Sequence, residues 1–132
     1  MQFVLIGATK SEFFLAKLLE DSIYKKKSIL NFCGKSTISQ LPVILNDLDL
    51  LLTNDTGTMH LSIALVNKTI SLFGPTNPME FGPYQDFDKH LVINITNSEF
   101  VKDRKKDFKK NNEMKNITIK MVLEAVEKCL KS

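Results

Sequence analysis

Short, nearly continuous apolar runs alternate along this chain with longer stretches in which apolar residues recur every three or four positions. The short runs predict strands over residues 2–6, 28–33, 48–53, 69–73 and 91–95. Because they are apolar throughout, not alternating, both faces of each strand expect cover, as in a parallel sheet. The longer stretches predict helices over 12–19, extending to 23, over 38–45, from Thr58 or Met59 onward, and over 119–130. The last carries one stripe, Met121, Val122, Ala125, Val126, Cys129 and Leu130, behind Thr118 as its cap. Strand and helix in turn are the order of an open α/β sheet. Pro42 fits the second helix only in its first turns, behind Ser36 or Thr37 as cap.

The third strand, its turn and the helix after it organise the chemistry. A buried strand runs into Asn54-Asp55-Thr56-Gly57-Thr58-Met59-His60 and on into an apolar helix. The first turn of a helix has unpaired amides and the positive end of the helix dipole, so an anion, phosphate above all, is the natural ligand there. Gly57 permits either a positive φ or close approach of a ligand to the backbone. Thr56 and Thr58 offer hydroxyls for capping or for phosphate oxygens, and His60 lies in the same turn. Asp55 would repel a diphosphate, so it is assigned to capping or to sugar hydroxyls. After the fourth strand, Gly74-Pro75-Thr76-Asn77-Pro78 opens a loop holding three of the four prolines. Loops at the carboxyl ends of parallel strands are where such sheets contact ligands.

Composition narrows the picture. A chain of 132 residues that is 43% hydrophobic supports one core and predicts a single domain. The two cysteines, Cys33 and Cys129, match no metal or redox spacing, and Cys33 reads as a small core residue. No secretory leader or membrane-length apolar run is present in the sequence, which predicts a cytoplasmic protein. Gly34-Lys35-Ser36-Thr37 resembles the end of a phosphate-binding loop, but that pattern needs glycine where Ile29 stands. Residues 101–116 read as a mobile basic linker. Its lysines are diluted by Asp103 and Asp107 and lack interleaved aromatics, so no nucleic-acid partner is expected. Glu12 fits equally as an acceptor for ribose hydroxyls and as an acidic residue in a helix first turn. Lys25, Lys26 and Lys27 suit the end of that helix.

The motifs Asn54-Asp55-Thr56-Gly57-Thr58-Met59-His60-Leu61, Leu72-Phe73-Gly74-Pro75-Thr76-Asn77-Pro78 and Gly82-Pro83-Tyr84, in that order, resemble glycosyltransferase family 9, the bacterial lipopolysaccharide heptosyltransferases. Val4-Leu5-Ile6-Gly7 with Glu12, Gly34-Lys35-Ser36-Thr37-Ile38 with Leu41, and Ile117-Thr118 through Val122 and Val126 are similar to further segments of that family. The resemblance covers nearly the whole chain except the basic linker, where cysteines frequent in relatives are missing.

The resemblance implies a Rossmann-like parallel sheet with flanking helices, similar to the carboxyl-terminal, donor-binding half of a GT-B glycosyltransferase. It implies ADP-heptose or a related nucleotide sugar as ligand, held without metal or cofactor. Thr56, Gly57, Thr58 and Met59 would present amides or hydroxyls to the diphosphate, with His60 supporting phosphate or sugar. Asp55 would orient the sugar or the turn, Glu12 would hold the ribose, and Gly74, Pro75 and Thr76 would form a supporting loop. The acceptor would be an anionic glycolipid, placing the protein at the inner membrane surface. The family's proposed base belongs to the amino-terminal half, so no catalytic residue is expected here and a separate acceptor-binding α/β half would complete the enzyme. The alternatives are a non-catalytic nucleotide-binding α/β module and a small flavodoxin-like regulator.

Overall fold

The expected alternation of strand and helix is present in the computed structural model, which describes residues 1–24, 28–74, 76–94 and 114–131. Five strands and five helices follow one another as β1 (Phe3–Leu5), α1 (Lys10–Ser22), β2 (Ile29–Asn31), α2 (Leu41–Asn46), β3 (Leu51–Asn54), α3 (Gly57–Ala64), β4 (Thr69–Phe73), α4 (Pro78–Phe81), β5 (His90–Asn94) and α5 (Ile119–Lys131). Every strand pairing is parallel. The chain divides into two compact units, Met1–Leu41 and Pro42–Ser132.

In the first unit β1 pairs with β2 in the register Phe3 to Ile29. Helix α1 begins two residues before the expected Glu12. Its N-cap Thr9 accepts from the Glu12 amide at 3.2 Å, while Glu12 Oε2 accepts from the Thr9 amide at 2.8 Å. The Thr-x-x-Glu spacing of this reciprocal cap is readable in Thr9-Lys10-Ser11-Glu12. Gly34 turns the chain out of β2 at a φ of +70°, a conformation open to glycine, and its amide donates to Gly7 O at 2.8 Å. Cys33 is buried as expected, and burial first, with Glu12 adding to it, pushes its thiol pKa up. Lys25, Lys26 and Lys27 lie outside the described residues.

In the second unit the strand order is β3-β4-β5. Helix α2 starts at Leu41, not 38, which places Pro42 in the first turn, where its missing amide breaks no bond. Ahead of it, the Gln40 side chain accepts from the Thr37 amide at 2.9 Å, and 38–40 form a turn. The third strand begins at Leu51, three residues later than expected, because Leu48 donates back to Leu45 O at the end of α2. Strand β4 matches its expected limits, and β5 is displaced by one residue, with Ile95 outside the described residues.

Alternation along β4 separates two cores. Ile70 joins Ile93, Ala125 and Cys129 under α5, with Met121, Val122 and Val126 packed against them. Phe73 joins Met59 and Ile63 under α3, on the opposite face. Leu130, expected in the α5 stripe, is instead 44% exposed, since the stripe drifts off the core face at the last turn. Thr118 does cap α5, accepting from the Met121 amide at 3.3 Å. Lys68 Nζ reaches Cys129 O at 3.1 Å and so meets a carbonyl of the last turn.

A short helix, α4, occupies the loop after β4, where none was expected. Asn77 caps it, Pro78 takes its first position and Gly82 closes it, donating to Pro78 O at 2.8 Å. A short 3-10 turn, Met114–Asn116, precedes α5 and falls at the end of the expected basic linker. The remainder of that linker lies outside the described residues.

One position works against the fold. Val66 stands just past the end of α3 at a φ of +60°, where a branched Cβ is strained and glycine is the usual residue. Val66→Gly should stabilise the protein by about 1 kcal/mol, read as a higher urea midpoint at unchanged slope.

Candidate functional site

The carboxyl end of β3 delivers the chain into α3 through Asp55 and Thr56. Thr56 is the N-cap, with extended backbone at φ −149° and ψ 168°, yet its side chain accepts no bond from the first turn. Its hydroxyl lies instead 3.3 Å from that of Thr53. Capping by Thr56, one of the two roles open to it, is therefore not used. The amides of Gly57, Thr58 and Met59 open an eight-residue helix that no side chain caps.

Gly57 does not adopt a positive φ, so of its two possible purposes the backbone one falls away. A Cβ added there would meet nothing within 4 Å. The space beside Gly57 is thus open. Met59 is fully buried against Ile63 and Phe73, so only its amide faces the turn while its side chain anchors the helix start. His60 is 43% exposed, with Nε2 4.0 Å from Asp55 Oδ1, and Asp55 is 19% exposed. That separation is an electrostatic contact, longer than a hydrogen bond. It gives the Asp55 carboxylate a neighbour other than an incoming anion.

The other expected site residues are placed as follows. Gly74 is buried, and a Cβ there would come within 2.7 Å of Met114 Cγ, so this glycine makes room for the 3-10 turn before α5. Thr76 is half-buried, and Pro75 lies outside the described residues. Glu12 belongs to the first unit and is exposed. Its Oε2 accepts from the Ala8 amide at 3.0 Å, the Thr9 amide at 2.8 Å and the Thr9 hydroxyl at 2.7 Å. Those bonds, from Thr9 first, hold its carboxyl below the usual value of 4.5. Gly7 allows this: a Cβ there would come within 2.8 Å of Glu12 Cβ.

Sequence reasoning passed over His90. It opens β5 opposite Thr69, at the amino end of the strands and away from the turn. It is 4% exposed, neither ring nitrogen has a partner, and Ser71 Oγ is likewise buried without one. Burial, the largest cause, lowers its pKa from 6.5, against opposing charge from Asp86. Both His90 and Glu12 therefore lose stabilisation toward acid, since the unfolded chain binds the proton first. The His90 contribution is present above pH 6.5 and falls away below it; that of Glu12 is present above 4.5 and falls away below that. Urea midpoints measured against pH should drop in two stages, and His90→Leu should remove the first alone.

Comparison with known folds fixes the class first. The chain is similar to the structure of Escherichia coli ADP-heptose LPS heptosyltransferase II, with a TM-score of 0.77 at 23% identity, over 98% of this chain and 37% of that one. It is similar also to a glycosyltransferase family 9 structure from Veillonella parvula, with a TM-score of 0.76 at 25% identity, over 99% and 37%. These similarities, with parallel strands and flanking helices, place the fold among GT-B-type glycosyltransferases.

The family model for glycosyltransferase family 9 (heptosyltransferase) matches residues 1–117, and the chain belongs to that family. Over 92 residues it is 33% identical to lipooligosaccharide heptosyltransferase 2 of Campylobacter jejuni serotype O:6, which is 69% of this chain and 29% of that protein. Against lipooligosaccharide heptosyltransferase 2 of Haemophilus influenzae it is 30% identical over 103 residues, 76% of this chain and 29% of that one. The chain thus spans less than a third of the length of these relatives. Among the described residues, no helix is long and apolar enough to cross a membrane.

Proposed function

We propose that this chain is the donor-binding part of a heptosyltransferase-type glycosyltransferase, and that it holds the pyrophosphate of ADP-heptose or a related nucleotide sugar at the start of α3. The observation that carries this is the uncapped first turn of α3 beneath an open Gly57. Three convergent amides and the helix dipole form a cradle for an anion without a cation. The names of the relatives supply the ligand class: one matched structure is of an ADP-heptose LPS heptosyltransferase, and another, E. coli WaaC, holds ADP.

The chemistry follows from charge. Transfer breaks the bond between the sugar's anomeric carbon and the diphosphate oxygen and forms one to an acceptor hydroxyl, whose proton goes to a base. Negative charge grows on the departing diphosphate, and fixed amides aimed at it lower the barrier without reorganising. Gly57, Thr58 and Met59 supply those donors. His60 adds a proton donor or positive charge on the same turn, while Asp55 holds the imidazole or meets a sugar hydroxyl. Glu12 belongs to the first unit, where its Oε2 is spent on the cap of α1. The acceptor, a lipopolysaccharide-type glycolipid, and the base belong to the larger share of the family fold that this chain does not span. Turnover by this chain alone is not expected.

Calorimetric titration tests the reading. ADP should bind and adenosine should bind much more weakly, because the diphosphate makes the cradle contacts. His60→Ala should weaken ADP by roughly fivefold, about 1 kcal/mol, and leave adenosine unchanged. Equal loss for both ligands would remove His60 from the phosphate role, and equal affinity of wild type for both would remove the cradle.

A further inference from the structure

We infer that the interior beneath α3 binds one ordered water molecule, which bridges His90 to Ser71. His90 is 4% exposed and Ser71 is fully buried, and among the described residues neither ring nitrogen of His90, nor Ser71 Oγ, has a hydrogen-bond partner. Polar groups left bare in an interior are costly, and native folds satisfy them with a protein partner or with internal water. No protein partner is present for these three atoms.

Strand register puts both residues on one face. Thr69 is paired with His90 and Ser71 with Val92, and side chains two apart on a strand share a face. That face lies beneath α3, because Thr69 bonds Ser62 of that helix and Val92 packs against Met59, Ile63 and Phe73. All of these residues belong to the second unit. Toward the amino end of β4 the bulk of Phe73, Met59 and Ile63 gives way to Ser71, Ser62 and Thr69, whose short side chains leave room for a water.

Distance selects a bridge over a direct bond. Ser71 stands two residues along and one strand across from His90, which at the usual rise and strand spacing is about 8 Å between Cα atoms. The imidazole and the hydroxyl close part of that gap, and one water bonded to each spans the rest. A third partner is at hand in Ser62. Thr69 Oγ1 donates to Asn67 O at 3.0 Å, so Ser62 is the donor in its 2.9 Å bond to Thr69 and its oxygen keeps its lone pairs. Three bonds are the usual complement of a buried water. Two hydroxyls and one imidazole suit water better than a cation, and among the described residues no cluster of His, Cys, Asp or Glu could hold a metal. The inference stands whichever ligand the turn of α3 takes.

Diffraction from crystals of the full chain tests this directly. A density peak within about 2.7–3.2 Å of both Ser71 Oγ and one His90 ring nitrogen is expected, and it should vanish in Ser71→Ala. Urea unfolding at neutral pH adds a readout in solution. Ser71→Ala should lower the midpoint of the wild type, and should lower that of His90→Leu by less than half as much, because a shared water couples the two positions. An empty gap, a direct bond between Ser71 and His90, or a peak that persists in Ser71→Ala would overturn the inference. Equal midpoint losses in the two backgrounds, or a midpoint that rises in Ser71→Ala, would do the same.

Discussion

Gly57→Val is expected to weaken ADP binding by about a hundredfold, roughly 3 kcal/mol, without a matching loss of stability. The two halves of that expectation have separate causes. A Cβ at residue 57 meets nothing within 4 Å, so the added methyl groups stand in open space and disturb no packing. Exposed substitutions of this kind change stability by about 0.5 kcal/mol or less. The same methyl groups occupy the approach to the amides of 57–59, and each charge-assisted bond lost there is worth about 1.5–3 kcal/mol. Gly57→Ala should fall between wild type and valine. Calorimetry with ADP beside urea unfolding separates the effects; unchanged affinity in a folded Gly57→Val protein would contradict the site.

The largest loss of stability is expected from Phe73→Ala. Phe73 is fully buried, and with Met59 and Ile63 it fixes α3 to β4. Truncating a buried phenylalanine costs about 3–5 kcal/mol, a large part of the roughly 5–15 kcal/mol that holds a domain folded. The loss reaches the site, because Met59 is both a core residue and the third amide of the open turn. Far-ultraviolet circular dichroism should show the urea midpoint lowered by about 1 M or more. Val43→Ala, at a residue 67% exposed, should barely move it. A cost under about 1 kcal/mol for Phe73→Ala would mean that α3 is anchored elsewhere.

Strand β4 was legible to the residue because it is central: Thr69, Ile70, Ser71 and Phe73 are all buried, and turns bound it on both sides. The start of β3 was not, since Leu48 and Leu50 look like strand residues but one closes α2 and the other leads in from the turn. Two helix starts were written in the sequence and passed over, Thr9 to Glu12 as a reciprocal cap and Asn77-Pro78 as cap and first residue. The segment from β3 into α3 was legible as strand, polar turn and apolar helix.

What each side chain does in that turn was not legible, because adjacent residues face opposite ways. Met59 turns fully into the core while its neighbour His60 stays 43% exposed. Thr56 has the residue type of a cap and does not act as one. The burial of His90 follows from packing around β5, which no local pattern carries.

Amide chemical shifts of the isotopically labelled chain, followed as ADP is added, reach the central claim most directly. The open turn should answer first: the Gly57, Thr58 and Met59 resonances should move furthest and together, while those of residues around His90, at the amino end of the strands, stay in place. Shifts centred anywhere else, or none at saturating ADP, would contradict an anion cradle at the start of α3.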